Sequence, residues 1–323
     1  MSALPLQSPL FTQRVVRAMK SLYPLELADR SWDNVGLLQE NIDPAVAGTP
    51  SNIRDGTPPI VLLTNDLTVR VAEEAIRKNA SVIVSYHPFI FRGLKSVTLA
   101  DPQQRILLQL AQHNIAVYSP HTSVDAAPGG MNDWLADMLD GHSVATKRSV
   151  VQPIQGTLPQ GFGGAGYGRL VEFGHPVNLG RIVEAYAEGL GGLRYIMIAR
   201  PKRHSAAVAA KRHPNHKEPP PAINSVAICA GSGYDVLKDC NADLFVTGEM
   251  THHYALRLTM VGKYVITVFH SNSERKFLKR RLQPQLQAVL RKDDPAAEVL
   301  VSEEDEDPFE IWDVKNMPSF VNQ

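Results

Sequence analysis

From Pro58 onward, short apolar runs alternate with segments of helical spacing, and that order leaves few architectures open. PIVLLTND is followed by TVRVAEEAIRKNA and then by SVIVSYHP. The scheme continues through DPQQRILLQLAQHN, IAVYSPHTSVD and GGMNDWLADMLDG, so residues 58–140 predict βαβαβα. Runs of Val, Ile and Leu without polar alternation predict strands buried on both faces, as in a parallel sheet covered by helices. A second run of the same order starts near Asn224: SVAICAGSG, YDVLKDCN, ADLFVTGEM, THHYALRLTMVG, KYVITVFHSN and SERKFLKRRLQPQLQAVLRK. The two runs share little identity, but their common order predicts an α/β protein of duplicated architecture.

The 323 residues leave room for about two domains. We read residues 1–150 as a first α/β lobe and 151–200 as a small βαβ lobe. In the latter, QGFGGAGYG precedes strand RLVEF, helix PVNLGRIVEAYAEGL and strand LRYIMIAR, with Pro176 in the first helical turn. Residues 201–222, basic and proline-rich, read as a solvated linker in which His204, His213 and His216 have no ligand role. Residues 223–323 form the segment that completes the site. The acidic stretch Ser302 to Glu310 reads as a solvated turn, and Phe11 to Leu22 as a first helix.

Lys plus Arg and Asp plus Glu both number 33, so no net field draws the chain to nucleic acid or to an anionic membrane. No apolar run approaches the roughly 18 residues of a membrane helix. Two cysteines, Cys229 and Cys240, are too few for a disulfide framework and fit a reducing compartment. The cytoplasm is the expected location; a weakly basic N-terminus makes the mitochondrion an alternative, and the basic linker the nucleus.

In open parallel sheets the ligand site lies beyond the carboxyl ends of the strands. In order, those ends carry Asn65 and Asp66, His87, His121 and Asp125, the turn Gly231, Ser232, Gly233, then Glu249, then His270 and Glu274. His121 with Asp125 and His270 with Glu274 are i, i+4 pairs, a spacing that shares a helical face and suits chelation of one ion. The alternative for each is a capping histidine and a carboxylate favouring the helix dipole. Imidazole with carboxylate favours Zn, Fe, Mn or Co over Ca. Glu249 precedes His252 and His253 and is a candidate general acid or base, with either histidine as its partner. The glycine turn is a candidate phosphate cradle, and no GxSxG elbow is present.

The motifs SWDNVGL (Ser31 to Leu37), SYHPFIF (Ser85 to Phe91), HTSVD (His121 to Asp125), GSGYD (Gly231 to Asp235), TGEMTHH (Thr247 to His253) and FHSNSER (Phe269 to Arg275) occur in this order. Together they resemble the Nif-three-like family, named for NGG-one-interacting factor three, whose bacterial members are often labelled GTP cyclohydrolase type 2. The resemblance implies an interlinked two-lobe α/β fold with mostly parallel sheets. It also implies a ring-like homo-oligomer such as a hexamer, and a dinuclear metal centre. Carried over by motif, His87, Asp125, His270 and Glu274 are metal ligands, while His121, Glu249 and His253 line the site. Bacterial members usually have two histidines before the proline of SYHPFIF, and here the first is Tyr86, as in eukaryotic members. Tyr86 therefore bears on whether a second metal position is filled.

Two functions follow as expectations. One is a metal-dependent hydrolase acting on a nucleotide or a small phosphorylated compound. The other is a non-catalytic metal-binding interaction protein, a co-regulator partner that docks through residues 201–221 and does not itself bind nucleic acid.

Overall fold

A computed structural model describes residues 6–44, 58–141, 146–201 and 221–312. The linker histidines and most of the basic segment lie outside the described residues. In chain order the strands are β1 (Gly36–Gln39), β2 (Ile60–Thr64), β3 (Ala80–Ser85), β4 (Ala116–Ser119), β5 (Thr146–Pro153) and β6 (Gly166–Asn178). They continue with β7 (Met197–Ala199), β8 (Ala222–Cys229), β9 (Leu244–Thr247), β10 (Tyr264–Thr267) and β11 (Glu298–Val301). They form two sheets, ordered β1-β4-β3-β2-β11 and β5-β6-β8-β9-β10-β7.

Side-chain alternation in the central strands explains how the sheets are joined. Val61 and Leu63, Val82 and Val84, and Ala116 and Tyr118 enter one core cluster together with Val226, Ile228, Leu244, Val246 and Ile266 of the other sheet. That core is shared. Between the sheets lie the helix Leu10–Leu22, the helix Met131–Asp137 and the segment Arg275–Asp293, which contribute Met19, Trp134, Phe277 and Leu286. The opposite faces, with Leu62, Ile83 and Val117 on one sheet and Ala227, Phe245 and Val265 on the other, build two outer clusters. Each is covered by helices, as near-continuous apolar strands require.

The outer helices start where their sequences cap them. The Thr68 hydroxyl accepts from the Val71 N–H before the helix Val69–Arg77, and Asp101 accepts from the Gln104 N–H before the helix Pro102–Gln112. The helix expected from Pro176 starts later. Pro176 lies within β6, and the helix is Leu179–Gly189, with Asn178 Oδ1 accepting from the Gly180 N–H at 2.7 Å. A capping side chain outweighs the preference of proline for a first turn.

One further expectation meets a different arrangement. β6 pairs with β8 and β7 with β10, so the strands expected in a small lobe of their own belong to the second sheet. The parallel core β8-β9-β10 of that sheet is flanked by antiparallel pairings to β6 and β7, whereas β2, β3, β4 and β11 run parallel in the first. The last strand, β11, returns to pair with β2, so the chain closes the sheet it began.

The acidic stretch after β11 is solvated only in part. Glu74 is buried, pairs with Lys78 Nζ at 2.7 Å and accepts from the Ser302 hydroxyl and the Glu303 N–H. The Asp305 side chain is only 2 % exposed; it accepts from the Asn65 N–H at 2.8 Å and faces Arg275. Desolvation favours a neutral Glu74, but its hydrogen bonds to Lys78, Ser302 and Glu303 outweigh it and hold the carboxyl below its ordinary pKa. A carboxyl depressed on folding stabilises the fold above its unfolded pKa, and that contribution is lost as pH falls through the folded value. Glu74→Ala is expected to lower stability by about 2 kcal/mol at pH 7. It should also flatten the acid limb of urea midpoints measured from pH 6 to pH 3; an unchanged limb would show that other carboxylates carry it.

Candidate metal centre

Strand ends from both sheets converge on one cavity of about 530 Å³. His87 follows β3, His121 follows β4, the turn from Gly231 follows β8, and His270 and Glu274 follow β10. Three of these offer donor atoms within 4.8 Å of one another: His87, His270 and Glu274. The Glu274 carboxylate is the centre of the group. Its Oε2 lies 3.4 Å from His87 Nε2, and its Oε1 lies 3.3 Å from His270 Nε2. The side chain is buried and receives the Asn65 amide at 3.1 Å.

The other nitrogen of each imidazole is engaged by a carboxylate. Asp66 Oδ1 lies 2.8 Å from His87 Nδ1, and Glu249 Oε1 lies 2.9 Å from His270 Nδ1. Asp33 Oδ1 does the same for His121 Nδ1 at 2.8 Å. A carboxylate on one ring nitrogen sets the tautomer and presents the other as a ligand, the arrangement that orients histidines around metal ions. Two nitrogens and a carboxylate facing an open cavity fit a divalent cation of the Zn, Fe, Mn or Co group, with room for a further molecule.

The electrostatics follow from these carboxylate contacts. Burial opposes the charged form of His87, yet the bonds to Asp66 and Glu274 carry its pKa to about 10. Burial would raise Asp66 and Asp33, but His87 and His121 respectively hold them below the carboxylate range. The Ser232 hydroxyl, opposed by partial burial and helped by His270, lowers Glu249. Asp125 differs: burial, against the pull of His121, pushes it up to about 6. Burial and the neighbouring Asp125 charge keep the Tyr86 phenol protonated, and its hydroxyl donates to Asp125 Oδ1 at 2.7 Å. Burial also raises the Cys229 thiol, so no thiolate competes for the ion.

His121, His87 and His270 form a row, with ring centroids 5.4 and 5.3 Å apart. His121 and Asp125 line the same cavity but stand outside the three-residue donor group. Backbone strain flanks the row. His121 and Phe269 have φ of +30° and +70° without being glycine, conformations that cost on the order of 1–3 kcal/mol each and concentrate at functional sites.

Two readings of the sequence meet internal contacts here. The Gly231 and Gly233 N–H groups donate to the hydroxyls of Ser273 and Thr247, both at 2.9 Å, and the Ser232 hydroxyl donates to Glu249. Two of the three N–H groups of the turn are thus engaged internally. Glu249, an exposed carboxylate, contacts His270 and Ser232, a placement that suits orienting the His270 ring. His252 and His253 start an exposed helix, His252–Met260, stack edge to face on each other and do not line the cavity of the triad.

A profile described as Duf34/NIF3 (NGG1p interacting factor 3) matches residues 11–308. The chain belongs to the Duf34/NIF3 family. It is 42% identical over 299 residues to the Protein NIF3 homolog of Schizosaccharomyces pombe, covering 92% of this chain and 97% of that one. It is 38% identical over 301 residues to NGG1-interacting factor 3 of Saccharomyces cerevisiae, covering 92% and 96%. Among solved structures, a Bacillus cereus protein related to NIF3 superposes with a TM-score of 0.71 at 20% identity, covering 96% of this chain and all of that one. The expected family and its two-lobed α/β fold are thereby shown. Among the described residues, no helix is long and apolar enough to cross a membrane.

Gly231 illustrates how close this NIF3-family site is packed. Its φ is +57°, and a Cβ there would stand 2.9 Å from Glu274 Oε1 and 3.2 Å from His270 Nε2. Gly231→Ala is expected to weaken metal binding by about 10–100-fold, the range for disturbed outer partners, and to cost about 1–2 kcal/mol of stability for the left-handed backbone. Titration of the metal-free variant with Zn checks this; wild-type affinity would show that the turn moves freely.

Proposed function

We propose that the chain is a divalent-metal-dependent hydrolase of a small molecule, with His87, His270 and Glu274 holding the ion. The observation that carries this reading is the buried Glu274 between two imidazole Nε2 atoms, each ring locked by its own carboxylate, at the wall of a cavity. A divalent cation in such a position supplies Lewis-acid polarisation and acidifies water. Asp125 lines the cavity outside that donor group, its Oδ1 accepting from Tyr86, and would add a further ligand as the family resemblance implies. His121 stands at the end of the imidazole row and moves protons, held in one tautomer by Asp33. The chain assembles as a ring-like homo-oligomer in the cytoplasm.

A nucleotide or other phosphorylated substrate remains within this proposal only if the ion itself holds the phosphate. Among the described residues lining the cavity there is neither Lys nor Arg, and the glycine turn is engaged internally. The test is a metabolite screen with the metal-loaded protein. Chelator-sensitive turnover that returns with the metal is the expected result. Metal-loaded protein without turnover of any compound overturns it and favours a second reading, a metal-binding partner protein, for which the name of the S. cerevisiae relative speaks.

A further inference from the structure

Trp32 and Phe91 stand at the rim of the triad's cavity with 51% and 47% of their surface exposed. Their ring centroids are 6.1 Å apart and the planes are inclined by 50°. The Trp32 ring also meets His121 edge to face at 5.8 Å, so the aromatic wall runs directly into the imidazole row. An exposed indole is ordinarily free to swing, but here the Trp32 Nε1–H donates to Asp29 Oδ2 at 2.9 Å. Asp29 in turn accepts from the Ser31 N–H and hydroxyl. The ring is therefore fixed in place without being buried, which is how a stacking surface is prepared for a ligand.

The charge of the cavity narrows the ligand further. Four carboxylates, Asp29, Asp125, Asp235 and Glu274, line it beside the three histidines, with no Lys or Arg among the described residues. A polyanion finds no Lys or Arg partner among these carboxylates, whereas a neutral or cationic ring is attracted by them and stacks on the aromatics. The volume of about 530 Å³ lies in the range of small-molecule sites.

We propose that the cavity binds a flat, neutral or cationic heteroaromatic ring stacked on Trp32 and Phe91, its reactive edge toward His87 and His270, and that it discriminates against phosphorylated forms of that ring. This rests on the cavity being the substrate site, as in the proposed function. It narrows the substrate to an unphosphorylated ring compound, and Trp32 becomes a specificity-determining residue.

The test uses the full chain loaded with Zn and a fixed panel: the four common ribonucleosides, nicotinamide, their available 5′-phosphorylated forms, inorganic triphosphate and ribose 5-phosphate. Binding is read by calorimetry and by quenching of indole fluorescence. At least one unphosphorylated ring compound is expected to bind, more tightly than its phosphorylated form. Trp32→Ala is expected to weaken it by about tenfold or more, the scale of losing one base-stacking contact, with Zn content unchanged. Trp32→Phe should recover part of the loss, which a merely structural role of the indole would not produce. Failure of every ring compound to bind, equal binding by Trp32→Ala, or tighter binding of the phosphorylated form overturns the proposal. These readouts do not involve turnover. A protein that hydrolyses a non-aromatic compound but ignores rings therefore sinks this inference alone, and one that binds rings without turnover sinks only the hydrolase reading.

Discussion

Glu274→Ala is expected to abolish divalent-metal binding, with a loss larger than the 10–100-fold typical of outer partners. The carboxylate supplies both oxygens that face His87 and His270, and its side chain is only 2% exposed. Without it, two imidazoles remain on opposite sides of a void and the Asn65 amide loses an acceptor. Glu274→Gln separates shape from charge, since it keeps the volume and removes the anion. Elemental analysis of the purified variants beside the wild type decides the point. A variant that retains a full equivalent of metal would place the ligands elsewhere.

The second large effect concerns the joint between the sheets. Arg169 on β6 is 3% exposed and holds Asp133, on the helix Met131–Asp137, through Nε at 2.6 Å and Nη2 at 2.9 Å. The same guanidinium donates to the carbonyls of Gly166 and Gly168. Burial would raise Asp133, but the Arg169 bonds hold its carboxyl below the ordinary range. Breaking one side of a buried pair leaves the other charge without compensation, so Arg169→Ala is expected to cost about 3–5 kcal/mol. Urea unfolding at pH 7 measures it. A double variant, Arg169→Met with Asp133→Leu, should recover much of the loss, because two apolar side chains leave no stranded charge. Additive losses in that variant would show that the pair contributes no coupling.

Much of this was readable from local pattern. The apolar runs at Ile60, Ala80 and Ala116, and again at Val226, Leu244 and Tyr264, carry the two βαβαβ units in their spacing. Because ligands gather at strand ends, His87, His270 and Glu274 follow from the same pattern. What was not readable is what folding brings from afar. Asp33 lies 88 residues from His121 and Asp305 lies 240 from Asn65, and no periodicity connects such residues. The contact of Glu249 was hidden for a related reason: a carboxylate near two histidines in sequence looks like their partner, yet it meets His270, 21 residues on. Asp66 sits at a strand end and could have been found by asking what orients His87.

Since β11 pairs with β2 and Asp305 reaches back to Asn65, the support for the Glu274 cluster arrives only after the ribosome has passed residue 305. A nascent chain can complete the second sheet before the first has its edge partner. Any cation held there would therefore be taken up after translation, and tags or truncations that disturb residues 298–305 should yield protein that is made, collapses, and leaves the cell's metal pool untouched.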